Sequence, residues 1–173
     1  EYQDYLAQMN DWYKKGYIRA DVDTALDDSA DLATGRYAVT IANYKPGVEA
    51  EQKTRVNGDV VVKVIGPCYF QIDYPLATMI SVSATTKHPE KCVEFIELIN
   101  TDVELYNMIC YGLEGKHYNK TGENRIEIIP DSGYEPNARW KFGNNFNAWL
   151  TPQQPDDCHE QSRAINASAK TLG

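Results

Sequence analysis

Residues 77–118, ATMISVSATTKHPEKCVEFIELINTDVELYNMICYGLEGKHY, carry the clearest structural pattern in this chain. The stretch opens on a strand-like run at residues 76–83. Pro89 follows it and predicts a helix start, because proline is tolerated at the first position of a helix. Apolar side chains then recur at helical spacing, which predicts one buried helix face. That predicted face consists of Cys92, Phe95, Ile96 and Ile99.

A second helix is predicted directly after the first. Thr101 and Glu104 have the spacing of a capping box, in which each side chain satisfies a free backbone donor at a helix N-terminus. The helix is expected to run to Tyr111 and to end at Gly112, since glycine is the usual residue at a helix C-terminus.

The C-terminal part of the chain combines a hairpin with an aromatic segment. Residues 117–120 and 125–129, joined by a polar turn, predict two antiparallel strands. Residues 140–150 are rich in aromatic side chains and are interrupted by glycine and asparagine, so a bent or partly helical segment is expected. Pro155 then opens a last amphipathic helix. Mixed helices and strands of this kind predict an α/β fold.

The N-terminal part begins with a predicted amphipathic helix that Gly16 ends. Farther on, acidic side chains suit the start of a short helix, because carboxylates favour the free N–H groups there. Residues 36–42 and 60–65 are predicted strands, and the polar residues 43–57 between them a loop. The acidic group is Asp27, Asp28 and Asp31, and the first helix carries Tyr5, Leu6, Met9, Trp12 and Tyr13.

Composition narrows the class of function. The net charge of the 173 residues is −8, and such a field repels nucleic-acid phosphates and anionic lipid surfaces. No apolar run approaches the roughly 18 residues that a membrane-spanning helix needs. The four cysteines lack the C-x-x-C pairing of a zinc or redox site, and reduced thiols are expected.

Four segments, in order, resemble the extracellular solute-binding proteins of bacterial ABC importers, family 1, of the lipoprotein type. Residues 77–118 are the most specific, since both the Lys-His-Pro-Glu-Lys helix start and the Tyr-Gly-Leu-Glu-Gly-Lys-His-Tyr turn are similar to that family. The other segments are YLAQMNDWYKKGYIRAD at residues 5–21, LATGRYAVTIANYKPG at 32–47 and RWKFGNNFNAWLTPQQPDD at 139–157.

The resemblance implies the C-terminal portion of a two-lobed, periplasmic-binding-protein-like fold of type II. Residues 1–62 would belong to the C-lobe, residues 63–118 would return to the N-lobe, and residues 119–173 would complete the C-lobe. It further implies a small-molecule ligand held between the lobes and a membrane permease as partner. The location would be extracellular, with a lipid-modified N-terminus outside these residues as the anchor.

Exposed aromatic side chains beside amides are the best candidates for ligand binding. Sugar rings stack on aromatic faces, and their hydroxyls need paired donors and acceptors, so a carbohydrate is the expected ligand. Tyr44 with Asn43 lies where the family places an aromatic residue at the cleft. Trp140 and Asn145 are the choices within the aromatic segment. Each aromatic of that segment, taken alone, suits the core at least as well as a ligand contact.

Competing functions have weaker support in the sequence. The DDxxD pattern at residues 27–31 suits helix capping better than magnesium binding, because diphosphate enzymes need a large helical cavity and a second acidic motif. The histidines show no metal-ligand spacing, and nucleotide and hydrolase motifs are missing, so no cofactor, metal or catalytic residue is predicted. Two alternatives stay open: a secreted glycan-active enzyme using Glu114 and Asp131, and a non-catalytic protein-interaction domain.

Overall fold

A computed structural model of the chain describes residues 1–70, 76, 78–134, 136 and 139–171. These residues divide into two compact units, and the division falls within one helix. Unit 1 comprises Glu1–Ile41 and Gln52–Asp59, and unit 2 comprises the described residues of Ala42–Glu51 and Val60–Gly173. The helices are α1 (Tyr2–Lys14), α2 (Ser29–Ala33), α3 (Val48–Val56), α4 (Pro89–Thr101), α5 (Val103–Tyr111) and α6 (Cys158–Ser168).

The strands are short, and each pairs with one partner. The first and last pair in parallel, while the middle two form an antiparallel hairpin with an irregularity between Lys120 and Gly122. Two 3₁₀ turns, Arg139–Lys141 and Asn145–Asn147, lie in the aromatic segment. The strands are β1 (Tyr69–Phe70), β2 (Tyr118–Gly122), β3 (Arg125–Ile128) and β4 (Lys170–Thr171).

Unit 1 is built from α1, α2, the C-terminal part of α3 and the loops beside them. The end of α1 forms a Schellman motif, because the Gly16 N–H donates to the Tyr13 carbonyl and the Tyr17 N–H to the Trp12 carbonyl. At α2, the Asp27 carboxylate accepts hydrogen bonds from the Ser29 backbone N–H and hydroxyl, at 2.9 and 2.7 Å. The predicted helix, its glycine stop and the acidic start of the short helix are therefore confirmed.

Unit 2 has its core where α5 meets the hairpin and residues 148–150. Tyr106 and Cys110 on α5 pack against Ala148, while Ile126 on β3 packs against Trp149. The predicted helix starts and stops at Pro89 and Gly112 are confirmed. The hairpin and the partly helical aromatic segment are confirmed as well. None of the four cysteines forms a disulfide, as expected.

Three predicted strands are wrong. Residues 36–42 and 60–65 form no strand, and their apolar side chains, Val39 and Ile41 among them, are mostly exposed. The described part of residues 76–83 also forms none; Ala77 lies outside the described residues. A strand needs a hydrogen-bonded neighbour, and none of these runs finds one among the described residues. The predicted loop at 43–57 is also wrong, because α3 occupies most of it.

Two details of α4 and α5 differ from expectation. On α4, Ile99 is buried, but Phe95 is 51% exposed, so the predicted face is only partly correct. At the start of α5, Asp102 is the capping residue, and its carboxylate accepts a bond from the Leu105 N–H at 2.9 Å. Thr101 instead ends α4, where its hydroxyl donates to the Glu97 carbonyl. The predicted capping box of Thr101 and Glu104 is therefore wrong, and the helix is capped one residue later by Asp102 alone.

Candidate ligand-binding site

A buried amide side chain fixes the aromatic segment to α5. Asn107 is fully buried, and its side-chain oxygen accepts a hydrogen bond from the Trp149 N–H at 2.9 Å. Its side-chain nitrogen donates to the carbonyls of Asn147 and Val103, at 2.8 and 2.7 Å. The Trp149 N–H and the Asn147 carbonyl are thereby satisfied, and leaving such groups unpaired on burial would cost free energy. The side chain of Asn107 thus holds the aromatic segment to α5.

Packing sorts the aromatic rings of this segment into buried and exposed. Trp149 is 3% exposed and packs against Tyr118, so it belongs to the core. Phe142 and Phe146 are half-buried, and His159 lies edge-on to the Phe146 ring at 5.8 Å. Trp140, by contrast, is 57% exposed. Trp140 is therefore the tryptophan of this segment whose side chain is mostly exposed, with the Lys141 ammonium 4.8 Å from its ring centroid over one face.

Arg139, next to Trp140, is anchored on both its backbone and its side chain. The Tyr106 hydroxyl donates to the Arg139 carbonyl at 2.9 Å. The Arg139 guanidinium donates to the Gln154 side-chain oxygen at 3.1 Å and to the Tyr111 hydroxyl at 3.4 Å. Burial raises the pKa of both phenols, so they remain protonated donors. The turn that carries Trp140 is thus tied to α5 and to the loop at Gln154.

The segment that carries Asn43 and Tyr44 is fixed by the residues just after it. Pro46 and Val48 are buried, whereas Tyr44 is 49% exposed. Gly47 has φ +83°, and a Cβ there would lie 3.1 Å from the Gln153 carbonyl oxygen. A side chain at this position would strain the backbone and crowd that carbonyl. Glycine therefore lets the segment lie directly on the backbone of residues 153–154.

All four side chains chosen from the sequence, Asn43, Tyr44, Trp140 and Asn145, are exposed and lie in unit 2. The segments of Tyr44 and Trp140 contact a common residue, Gln154. Asn145 begins the second 3₁₀ turn, where Asn144 is the capping residue whose side-chain oxygen accepts from the Phe146 N–H. The exposed side chain of Asn145 is thus not the one used for capping. Their role as ligand contacts stays a prediction.

Unit 1 contains a second concave surface, which the sequence did not indicate. An open cavity of about 450 Å³ is lined by Arg19, Asp27, Tyr17, Tyr37 and neighbouring apolar side chains. The Arg19 guanidinium makes two bonds to the Asp21 carboxylate, at 2.7 and 2.8 Å, and one to the Tyr37 hydroxyl. These bonds from Arg19 lower the pKa of Asp21, and the Ser29 hydroxyl lowers that of Asp27. The cavity therefore presents the Arg19 guanidinium and the Asp27 carboxylate beside the rings of Tyr17 and Tyr37.

Metal binding has no structural support in the described part of the chain. Within those residues, no group of three or more histidine, cysteine, aspartate or glutamate side chains could hold a metal ion. Nor is any described helix both long enough and apolar enough to cross a membrane.

The chain is similar to a solute-binding protein of the ABC-transporter type. No protein-family model matches the chain. It is, however, 30% identical over 176 residues to a carbohydrate ABC transporter substrate-binding protein of Streptococcus pneumoniae serotype 4, an alignment covering 98% of this chain and 35% of that protein. The resemblance predicted from the sequence is confirmed.

Solved structures support the same assignment. The crystal structure of the N-glycan transport solute binding protein of Streptococcus pneumoniae matches 97% of this chain with a TM-score of 0.78 and 26% identity. Its complexes with Man5GlcNAc and Man1GlcNAc match with TM-scores of 0.69 and 0.73, at 27% and 28% identity. Each match covers 38% of that protein, so the chain spans about a third of the length of its relatives. The predicted α/β fold, a C-terminal portion of the two-lobed architecture, is confirmed.

Proposed function

We propose that this chain is part of a solute-binding protein that captures a carbohydrate and delivers it to a membrane permease. The similarity over 98% of the chain to a carbohydrate ABC transporter substrate-binding protein carries this proposal. The two solved complexes of the structural neighbour hold glycans, Man5GlcNAc and Man1GlcNAc, which favours an oligosaccharide as the ligand class.

The geometry of unit 2 supports a stacking site. Trp140 and Tyr44 each expose a ring, and each ring stands on a segment held by hydrogen bonds or close backbone packing. Rigid rings lose little conformational entropy when a sugar stacks on them. Asn43 and Asn145 supply donors and acceptors for hydroxyl groups beside the rings. We assign these four residues to ligand binding.

The two-lobed organisation follows from the same similarity. The sequence predicted that residues 1–62 and 119–173 belong to the C-lobe and residues 63–118 to the N-lobe. Because α5 shares one core with the hairpin and residues 148–150, we propose that α5 belongs to the same lobe as they do. Ligand binding would close the lobes by a hinge motion, and the permease would recognise the closed form. The protein would act outside the cell, held at the membrane surface by a lipid-modified N-terminus.

Binding rather than catalysis is proposed because the relatives are transport proteins. The enzyme alternative rests on Glu114 and Asp131, which are both exposed. We expect no glycan product after prolonged incubation with Man5GlcNAc. Turnover that Glu114→Gln abolishes would favour the enzyme instead.

A thermal-shift screen tests the ligand class. Binding to the native state raises the melting temperature, so the complete protein that carries these residues should melt higher with its saccharide than without it. Man5GlcNAc and Man1GlcNAc are tested first, followed by other mono- and oligosaccharides. A panel that leaves the melting temperature unchanged throughout would contradict the proposed function.

Titration calorimetry tests the proposed residues. Trp140→Ala and Tyr44→Ala should each weaken saccharide binding by about 1 to 3 kcal/mol, the usual scale for a contact residue that matters. Their melting temperatures should change little, because both rings are exposed. Trp12→Ala, which removes a partly exposed ring from α1 in unit 1, is the matched control and should keep its affinity. Unchanged affinity in both site variants, with strongly lowered melting temperatures, would place these rings in the core.

A further inference from the structure

Gln154 lies between the two segments that carry the proposed stacking rings. Its side-chain oxygen accepts hydrogen bonds from the Arg139 guanidinium and from the Thr151 N–H, both at 3.1 Å. Its side-chain nitrogen donates to the Cys158 sulfur at 3.4 Å. Both polar atoms of the amide thereby have partners inside the protein, and its orientation is fixed.

The backbone of Gln154 is fixed as well. Its carbonyl accepts a hydrogen bond from the Arg125 guanidinium at 2.7 Å, and its N–H donates to the Thr151 carbonyl at 3.0 Å. Arg125 is itself held by the Asp156 carboxylate, at 2.7 Å. The residue therefore joins β3, the loop at 151–154 and the start of α6.

Two connections lead from this fixed point to the rings. Arg139, which Gln154 holds, immediately precedes Trp140. Gly47, three residues after Tyr44, lies against Gln154, since a Cβ at Gly47 would come within 3.4 Å of the Gln154 Cα. One residue thus contacts both segments, although its own side chain is turned to partners inside the protein.

We infer that Gln154 is a positioning residue, which sets the separation of the Tyr44 and Trp140 rings and so determines affinity for an oligosaccharide. This inference rests on the proposed function of the two rings. Rings that stack on one saccharide must keep a fixed spacing, because a small misplacement of either ring sacrifices contact with the sugar face.

Calorimetry with Man5GlcNAc, on the complete protein, measures the effect. Gln154→Leu keeps the approximate size but removes the side-chain hydrogen bonds to Arg139, Thr151 and Cys158, and it should weaken binding about tenfold. Gln154→Glu keeps an oxygen acceptor for Arg139 and Thr151, so most of the affinity should return. Gln153→Leu is the matched control: its side chain is exposed, and its affinity should equal that of the wild type.

A double-mutant cycle separates positioning from general destabilisation. If Gln154 acts through the ring, Gln154→Leu should cost clearly less affinity in a Trp140→Ala background than in the wild type. Additive losses would overturn the inference while leaving the proposed function intact. If Gln154→Leu fails to fold, Arg139→Lys breaks the same connection, because one ammonium group cannot replace the guanidinium that reaches both Gln154 and Tyr111.

A ligand-independent readout keeps the two proposals distinguishable. With 5-fluorotryptophan incorporated, the ¹⁹F signal of Trp140, assigned by Trp140→Phe, should shift or broaden in Gln154→Leu while the signal of Trp12 stays in place. An unchanged Trp140 signal would overturn the positioning role. A shifted signal in a protein that binds no saccharide would instead overturn the proposed function alone.

Discussion

Two regions of the chain are rich in large apolar side chains but differ in how far these are buried. One is the region where α5 meets the hairpin, and the other is the run at residues 60–65. Tyr106, Ile126 and Trp149 in the first region are almost fully buried. In the second, Val61 is 96% exposed and Ile65 85% exposed. Apolar character shows which side chains gain free energy from burial, but not whether a partner lies within reach. The difference between the regions is one of partners.

Distance along the chain explains why the hairpin forms readily. β2 and β3 are joined by a short turn, so each strand has its neighbour at hand. Parallel strands need longer connections, and β1 and β4, the one parallel ladder among the described strands, are two residues long and a hundred residues apart. The chain spans about a third of the length of its relatives. In the proposed two-lobed protein, neighbours for residues 36–42 and 60–65 would come from outside this chain.

The largest effect is expected from a substitution that removes one buried ring. Tyr106→Ala should lower the free energy of unfolding by about 3 to 5 kcal/mol, because it leaves a cavity and strips the Arg139 carbonyl of its donor. Urea denaturation followed by tryptophan fluorescence measures it. Val61→Ala, in the exposed run, should stay within about 0.5 kcal/mol of the wild type. Equal losses at the two sites would show that the exposed run also finds a core.

A second prediction compares two glycines with similar positive φ angles. Gly112 has φ +87°, and a Cβ there would lie 2.2 Å from the His117 Nδ1, whereas Gly115 has φ +75° and open space around it. Gly112→Ala should therefore lower stability by about 2 to 4 kcal/mol, adding crowding to the cost of a left-handed backbone.

Gly115→Ala serves as the control for backbone strain. It should cost only about 1 to 2 kcal/mol, the backbone part alone. Thermal unfolding of the two variants measures the difference. Indistinguishable melting temperatures would mean that His117 moves aside and that its bond from the Leu113 N–H, at 2.9 Å, contributes little.

In the candidate site, as in the fold, burial depends on partners that are distant in the sequence. Trp140 is exposed and Trp149 is buried, and only their packing partners distinguish them. Tyr118 contacts the Trp149 ring, although it lies 31 positions away in the sequence. Local spacing predicted the helix boundaries and the hairpin, since those depend on residues a few positions apart. The roles of Asn107 and Gln154 depend on contacts across 40 and 15 positions, and no local pattern marks them. Chemistry identified the candidate residue types, but only packing shows which of them are exposed.

The smallest expected effect concerns the start of α5, where local reasoning was wrong by one residue. Asp102 accepts the Leu105 N–H, so Asp102→Ala should cost about 1 kcal/mol, the usual value of an N-terminal cap. Asp102→Asn keeps an oxygen acceptor and should lose much less. Thr101→Ala removes a bond to the Glu97 carbonyl within α4, and it should leave the Leu105 amide as protected from hydrogen exchange as in the wild type. Faster exchange at Leu105 in Thr101→Ala, but not in Asp102→Ala, would restore Thr101 as the cap. The one-residue offset arises because Thr and Asp are both good capping residues, and the choice between them depends on where α4 ends.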